Sequence, residues 1–332
     1  MDLVRFTREL VDIESITGNE IAVGEFLLRR LTEMGWCANA MPVEAGRFNV
    51  YATLPEHPQP ELVLSTHLDT VPPFLPSSED EENIYGRGSC DAKGILAAEV
   101  AAAERLRRQG AAVALLFLVG EERDSLGARI ANEQSPRPRF LINGEPTENC
   151  MALATKGALR AEIVAHGRMA HSAYPQLGES AIEKLVEALH RLLALPLPSD
   201  PEIGATTINI GMIEGGRAPN VVPYHAQALL FIRTVGPTEA LRRALVAAVG
   251  GLAEVRFGAE SAAMRLRTVE GLPTMIASFG TDIPSLTNWG EPVLLGPGSI
   301  HVAHTEREHI RKRQLSEAVD LYEQVATRLL RG

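Results

Sequence analysis

Several apolar runs in this sequence end in side chains that do not belong in a core. "ELVLST" runs into His67 and Asp69, "ALLFLVG" into Glu121 and Glu122, and "RFLIN" into Gly144 and Glu145. A fourth run, "VLLG", leads through "PGSIHVA" to His304, while Asp91 follows the glycine-rich turn "YGRGSC". In an open α/β sheet, groups placed after the strands converge in the crevice beyond the strands' carboxyl ends. Carboxylates gathered there repel one another, and beyond Lys93 and Arg123 these segments offer no compensating cations. A divalent ion resolves the conflict. Histidine and carboxylate ligands without thiolates point to zinc or a similar ion at a catalytic site, since structural zinc prefers cysteine-rich cages. Five candidate ligands, His67, Asp91, Glu122, Glu145 and His304, exceed the three usual at one catalytic zinc. They suit two ions ~3.5–4 Å apart sharing one carboxylate.

Taken singly, each residue has a plainer reading. Asp91 could cap the N-terminus of the helix that follows it. Glu121 and Glu122 could form a solvated acidic pair near a helix start, and either histidine could be structural. Recurrence at successive strand ends is what favours a shared site.

The elements that must position these residues fall into two patterns. Up to about residue 150, amphipathic segments ("DLVRFTRELVDI", "EIAVGEFLLRRLTEMG", "AKGILAAEVAAAERLRRQG", "DSLGARIANEQ") alternate with the strands "FNVYATL", "ELVLST", "AVALLFLVG" and "RFLIN". Such alternation predicts a mostly parallel sheet covered by helices on both faces. From "ALRAEIVAHG" to "AEVRFGAE" the order becomes β-α-β-β-α-β, a ferredoxin-like α+β unit inserted into the first. The short strands "PTMIASF" and "PVLLG" then return to the first domain, and a long helix spans about Glu306 to Leu330, with Thr305 and Glu308 as its capping box. The expected organisation is residues 1–153 and 267–332 forming one α/β domain, with residues 154–266 as a lid.

With 332 residues and 45% hydrophobic content the chain can bury a full core. A net charge of −10 argues against nucleic acid and anionic lipid as partners, which need clustered Lys and Arg. "AAVALLFLVG" is about half the ~20 residues needed to span a bilayer. The N-terminal stretch has neither the apolar core nor the basic flank of a signal peptide, so a cytoplasmic location is expected. Cys37, Cys90 and Cys150 are odd in number and widely spaced, as reduced thiols are. Cys90, beside Asp91, reads as a buried thiol rather than a ligand.

The motifs "STHLDTVP", "GRGSCDAKG", "LVGEERDSLGA", "NGEPTE", "MAHSAYP" and "GPGSIHVAHTEREHI", in this order, resemble the M20 metallopeptidase family over essentially the whole chain. That family includes acetylornithine deacetylase, succinyl-diaminopimelate desuccinylase, aminoacylase and carboxypeptidase G2. The resemblance implies two zinc ions per chain, with cobalt or manganese able to substitute. Asp91 would bridge them, His67 and Glu145 completing one position, Glu122 and His304 the other. It also implies a cis peptide after Asp91. Asp69 would orient the His67 imidazole, and Glu121 would be general base and acid. From the lid, His171 would stabilise the oxyanion, with Asn220 and Arg233 holding a substrate carboxylate. Gly296 and Gly298 would let the backbone approach the substrate. The activity implied is removal of an N-acyl group from an amino acid, "NGEPTE" favouring the acetylornithine branch. An aminopeptidase or dipeptidase is the alternative, and a metal-binding protein without turnover a third reading. A homodimer through the lid is implied too, in which His171 could serve the partner's site.

Overall fold

The computed structural model describes residues 1–332. Helices are α1 (Leu3–Val11), α2 (Ile21–Glu33), α3 (Lys93–Arg108), α4 (Leu126–Glu133), α5 (Ala181–Leu193), α6 (Glu239–Val249) and α7 (Lys312–Arg331). The principal strands are β1 (Cys37–Glu44), β2 (Arg47–Thr53), β3 (Leu62–His67), β4 (Val113–Leu118), β5 (Phe140–Asn143), β6 (Gly157–His166), β7 (Thr207–Gly215), β8 (His225–Thr234), β9 (Glu254–Ser261) and β10 (Glu291–Leu294). The chain divides into two compact units. The first comprises Met1–Leu153, Leu266–Met275 and Thr281–Gly332, and the second Ala154–Arg265 with Ile276–Gly280.

In the first unit a six-stranded sheet runs in the order β1-β2-β4-β3-β5-β10. The four strands from β4 to β10 are parallel, while β1 and β2 are antiparallel additions at one edge. Side-chain period explains the two faces. Leu62 and Leu64 of β3 and Val113, Leu115 and Phe117 of β4 join the core built with Phe6, Leu27, Leu96 and Tyr322 from the helices. Val63, Ala114, Leu116 and Leu118 point the other way, to Ala128 and Ala131 of α4 and to Trp289. The central helix α3 meets the sheet through small residues, Ala97, Ala98, Ala102 and Ala103, all fully buried. Register sets the strand ends level: His67 lies opposite Leu118, Ser65 opposite Asn143, and Asn143 opposite Leu294. Whatever follows each strand therefore emerges at one edge.

In the second unit an antiparallel sheet in the order β7-β8-β6-β9 packs α5 and α6 on one face, around Leu159, Ile163, Leu185, Leu230 and Leu245. Ser180 caps α5, its side chain accepting from the Glu183 N–H at 3.2 Å. This is the expected β-α-β-β-α-β order.

Two expectations are corrected. The strand β1 was absent from the sequence reading. It is an edge strand with mostly exposed side chains, and its register shifts between Pro42 and Glu44, so it has no apolar alternation to detect. The last helix begins at Lys312, not near Glu306, and Thr305 and Glu308 form no capping box. A short strand, His309–Arg311, pairs first with Asn83–Tyr85, and Glu308 is buried elsewhere.

Candidate metal centre

The level strand ends deliver the expected residues to one place. His67 terminates β3 and is 1% exposed; Asp91 is 5% and Glu145 4% exposed. The Asp91 carboxylate stands between two imidazoles. Its Oδ1 lies 3.0 Å from His67 Nε2, and its Oδ2 lies 3.4 Å from His304 Nε2. His304 Nε2 is also 2.9 Å from Glu122 Oε1. Two groupings keep every ligand atom within 4.8 Å of the others: His67 with Asp91 and Glu122, and His67 with Glu121 and Glu145. The second grouping draws in Glu121, which the sequence reading set apart as a base. Asp91 does not cap α3, whose N-cap is Ala92 without a side-chain bond. The Asp91–Ala92 peptide is cis.

Glu121 and Glu122 sit on a turn closed by the N–H groups of Asp124 and Ser125 donating to the Gly120 carbonyl at 3.1 and 2.8 Å. Asp69 holds that turn. Its Oδ1 accepts from the N–H of Gly120 at 3.0 Å and of Glu121 at 3.1 Å, and its Oδ2 from the N–H of Glu122 at 3.2 Å and the Thr17 hydroxyl at 2.8 Å. The expected Asp69–His67 contact is thereby modified. The His67 Nδ1 hydrogen bond goes to the Asp69 backbone carbonyl at 2.9 Å, while the nearest carboxylate oxygen is 3.6 Å away. The carboxylate's four acceptances explain why it is turned from the ring.

The electrostatics are those of crowded like charges. Burial pushes the Glu121 and Glu145 carboxyls well above the ordinary range, and neighbouring carboxylates add to it. Burial alone would lower the His67 pKa, but Asp69 and Asp91 raise it well above the usual imidazole value. Hydrogen bonds with Asp91 and then Glu122 raise His304 to about 10. Asp91 is held below the usual carboxylate range by the two imidazoles, against its burial. Glu145 Oε1 is buried without a hydrogen-bond partner.

These residues fit a pair of divalent ions. An orphaned buried carboxylate oxygen, ligand atoms 2.9–3.4 Å apart and a carboxylate with one oxygen toward each imidazole are what a bridged site requires. Two ligands at ~2.0–2.1 Å on a tetrahedral ion are themselves separated by roughly 3.3 Å.

The remaining candidates are placed as follows. His171 is exposed in the second unit, its Nδ1 accepting from the Ala173 N–H at 3.1 Å. Ala170 and His171 pair with Val222 and Val221, and the Ser172 N–H donates to the Asn220 carbonyl at 3.0 Å, so the His171 and Asn220 loops are neighbours. Arg233 lies on β8, its guanidinium 4.6 Å from the Phe231 ring centre. At Gly296 and Gly298 the lack of a side chain allows close approaches within the protein itself. A Cβ on Gly296 would meet the Glu145 carbonyl at 2.5 Å, and one on Gly298 the Cys90 sulfur at 2.5 Å. They are needed to fit the ligand-bearing loops together. Cys90 is a buried thiol, pushed up by burial, outside both ligand groupings. One acidic residue escaped the sequence reading. Asp282 is 1% exposed with an unpartnered Oδ1, its charge acts on Glu121 and Glu145, and burial raises it to about 7. It stands three residues after the run "PTMIASF", so a signal of the same kind as at the other strand ends was present.

Comparison with known proteins places this geometry in context. A family model described as a peptidase dimerisation domain matches residues 153–253. A peptidase M20 domain-containing protein of Schizosaccharomyces pombe is 37% identical over 99% of this chain and 85% of its own length. A probable carboxypeptidase of Aspergillus oryzae is 40% identical over 96% of this chain and 85% of its own. Among solved structures, the aminopeptidase PepT of Bacillus cereus superposes with a TM-score of 0.83 at 22% identity, covering 99% of this chain and 98% of that one. The YXEP protein of Bacillus subtilis, a dinuclear metal binding peptidase, superposes with a TM-score of 0.71 at 16% identity, covering 99% and 98%.

Proposed function

The chain belongs to the M20 peptidase family and is a metal-dependent hydrolase of peptide or amide bonds, and from that premise we propose that it releases an amino acid bearing a free α-carboxylate from a dipeptide, a peptide C-terminus or an N-acyl amino acid. The observation that carries the reading is Asp91, its two oxygens divided between His67 and His304, beside the turn that presents Glu121. The ligands proposed are His67, Asp91, Glu122, Glu145 and His304, for two zinc ions or their cobalt or manganese substitutes. Bound there, the ions would supply Lewis acidity, polarising the scissile carbonyl and lowering the pKa of water toward neutrality. The chain's own contribution is proton traffic. Glu121 takes a proton as water oxygen attacks the carbonyl carbon, then gives it to the amide nitrogen as the C–N bond breaks and the amine leaves. Asp69 fixes the turn, so that Glu121 and Glu122 move as one body. His171 is assigned to the oxyanion, and Asn220 and Arg233 to the substrate carboxylate, by the family resemblance.

The carboxylate requirement is supported by a relative 40% identical that is described as a probable carboxypeptidase. The acetylornithine branch is one corner of the same class. A panel of N-acetyl and N-succinyl amino acids (N-acetylornithine among them), dipeptides and N-blocked dipeptides, each with its C-terminal amide, tests it by amine release. Free-acid substrates are expected to exceed their amides by on the order of 10²-fold, the effect of leaving a binding charge unpaired at ~2–5 kcal/mol. Equal cleavage of acid and amide, or turnover confined to substrates with a free α-amine, would favour the aminopeptidase reading instead.

We also propose a homodimer through the second unit. The outer edge of β7 has no strand partner and carries Met212 and Ile213, 52% and 63% exposed. On α5, Ile182 and Val186 are 38% and 61% exposed, and a Cβ on Gly215 would touch the Ile182 side chain at 3.2 Å. An unpaired edge beside exposed apolar side chains invites a second copy. Val186→Glu with Ile213→Glu should convert a dimer to a monomer in sedimentation. A wild-type monomer at micromolar concentration would end this proposal.

A further inference from the structure

Glu308 has no part in the ligand set above, yet it is 1% exposed and charged. Its Oε1 accepts from three amides of one loop, the N–H groups of Gly88 at 2.9 Å, Cys90 at 3.2 Å and Asp91 at 3.1 Å. Its Oε2 accepts from Arg87 Nη1 at 2.5 Å, and its own carbonyl accepts from the Gly86 N–H at 3.1 Å. Arg87, 2% exposed, is thus neutralised in the core. The loop curls its amides onto one oxygen because Gly88 adopts φ +87°, with the Thr70 and Lys93 side chains 3.0 Å from where a Cβ would sit. Glu308 therefore binds the backbone of Asp91 from a segment 217 residues away. Four residues before it on that segment is His304.

We propose, resting on the two-metal reading, that Glu308 is a positioning residue that ties Asp91 to His304, so that the ion held by Asp91, Glu122 and His304 depends on it far more than the ion held by His67, Asp91 and Glu145. The asymmetry follows from how each ligand is supported. His67 ends a buried strand and is oriented by the Asp69 carbonyl. Glu145 follows β5, with the Gly144 N–H donating to the Ser65 carbonyl at 2.7 Å. Neither touches Glu308. His304 stands on a turn with φ +63°, its side chain 47% exposed. The nearest buried anchor that follows it along the chain is Glu308. Removing that carboxylate frees the Asp91 N–H and the His304 turn together, and leaves Arg87 as an unpaired buried cation.

The test is zinc titration of the metal-free protein by competition with a chromophoric chelator, alongside thermal melts of the metal-free forms. Wild type should bind two ions. Glu308→Gln keeps an oxygen for the amides but sets an NH₂ group against Arg87. It should hold one ion near wild-type affinity and bind the other about 10–100-fold more weakly, the usual cost of losing a partner behind a ligand. Glu308→Ala should lose more, and if it does not fold, Glu308→Gln decides. The weakened ion should be the one lost in His304→Ala, and combining Glu308→Gln with His304→Ala should add little. Wild-type affinity for both ions in Glu308→Gln, or equal weakening of both in step with a lowered melting temperature, would overturn the inference as a merely structural role. A wild type that binds fewer than two ions would overturn the two-metal reading and this inference with it, and the wild-type titration separates that failure from the other.

Discussion

Glu121→Gln is expected to keep both metal ions and lose ~10²–10⁴-fold in kcat, the range for one acid-base group. The substitution is nearly isosteric, and the backbone that carries it is held independently of the side chain. The Glu121 N–H donates to Asp69 Oδ1 at 3.1 Å, with Gly120 and Glu122 bound to the same carboxylate. Glu122 and the other proposed ligands should therefore stay where they are. What the amide cannot do is accept a proton from the attacking water and return it to the leaving nitrogen. Burial, with the neighbouring carboxylates, raises the Glu121 carboxyl well above its ordinary value. KM should change little, because substrate binding does not use this proton. Steady-state kinetics with metal analysis of the same preparation check the result. Turnover within about tenfold of wild type, at full metal content, would remove Glu121 from the mechanism.

Why so much of the site was legible, and where legibility stopped, has one physical cause. A parallel sheet buried on both faces demands continuous apolar strands, so a histidine or carboxylate at the end of such a run stands out against it. His67 and Glu145 are marked this way, and Glu121 and Glu122 follow β4 by a few residues. Residues whose role depends on a distant backbone carry no such mark. Glu308 three residues after Thr305 resembles a helix-capping pair, and only the fold shows that its partners are amides of residues 88, 90 and 91. Asp69 stands out in the sequence beside His67, but its carboxylate serves the 120–122 turn because that loop crosses it. Gly296 and Gly298 were noticed as glycines, yet what lies against them, the Glu145 backbone and Cys90, is fixed by loop packing. In the second unit the β-α-β-β-α-β order was readable from alternation alone. The strand "PTMIASF" was readable as a strand but was expected in the first domain, whereas Ile276–Gly280 groups with the second unit.

Asp91→Ala is expected to abolish activity by costing the protein both ions, a larger effect than removal of any one terminal ligand. Asp91 alone faces both imidazoles, at 3.0 Å from His67 and 3.4 Å from His304, so each proposed position loses a charged ligand at once. Asp91→Asn keeps the volume but presents one neutral oxygen and an NH₂ donor toward the opposite imidazole, and at least one ion should be lost. The fold should survive either change. Its main core is built from residues such as Phe6, Leu96, Phe117 and Tyr322, all at most 1% exposed, and does not include the carboxylate. The same reasoning covers chelation of wild type. Activity should fall to background and return when zinc is restored, while the chain stays folded at 25 °C. Each ion present at ~1,000 times its dissociation constant stabilises by about 4 kcal/mol, so two contribute about 8 kcal/mol. With an unfolding entropy of ~2.1 cal/mol/K per residue, a chain of 332 residues shifts by roughly 1.4 °C per kcal/mol, and their removal should lower the melting temperature by roughly 10 °C. Metal analysis, activity and a thermal melt on the same sample read all three consequences. Two ions retained by Asp91→Ala would exclude the bridging role, and wild-type activity after complete chelation would exclude the metal centre itself.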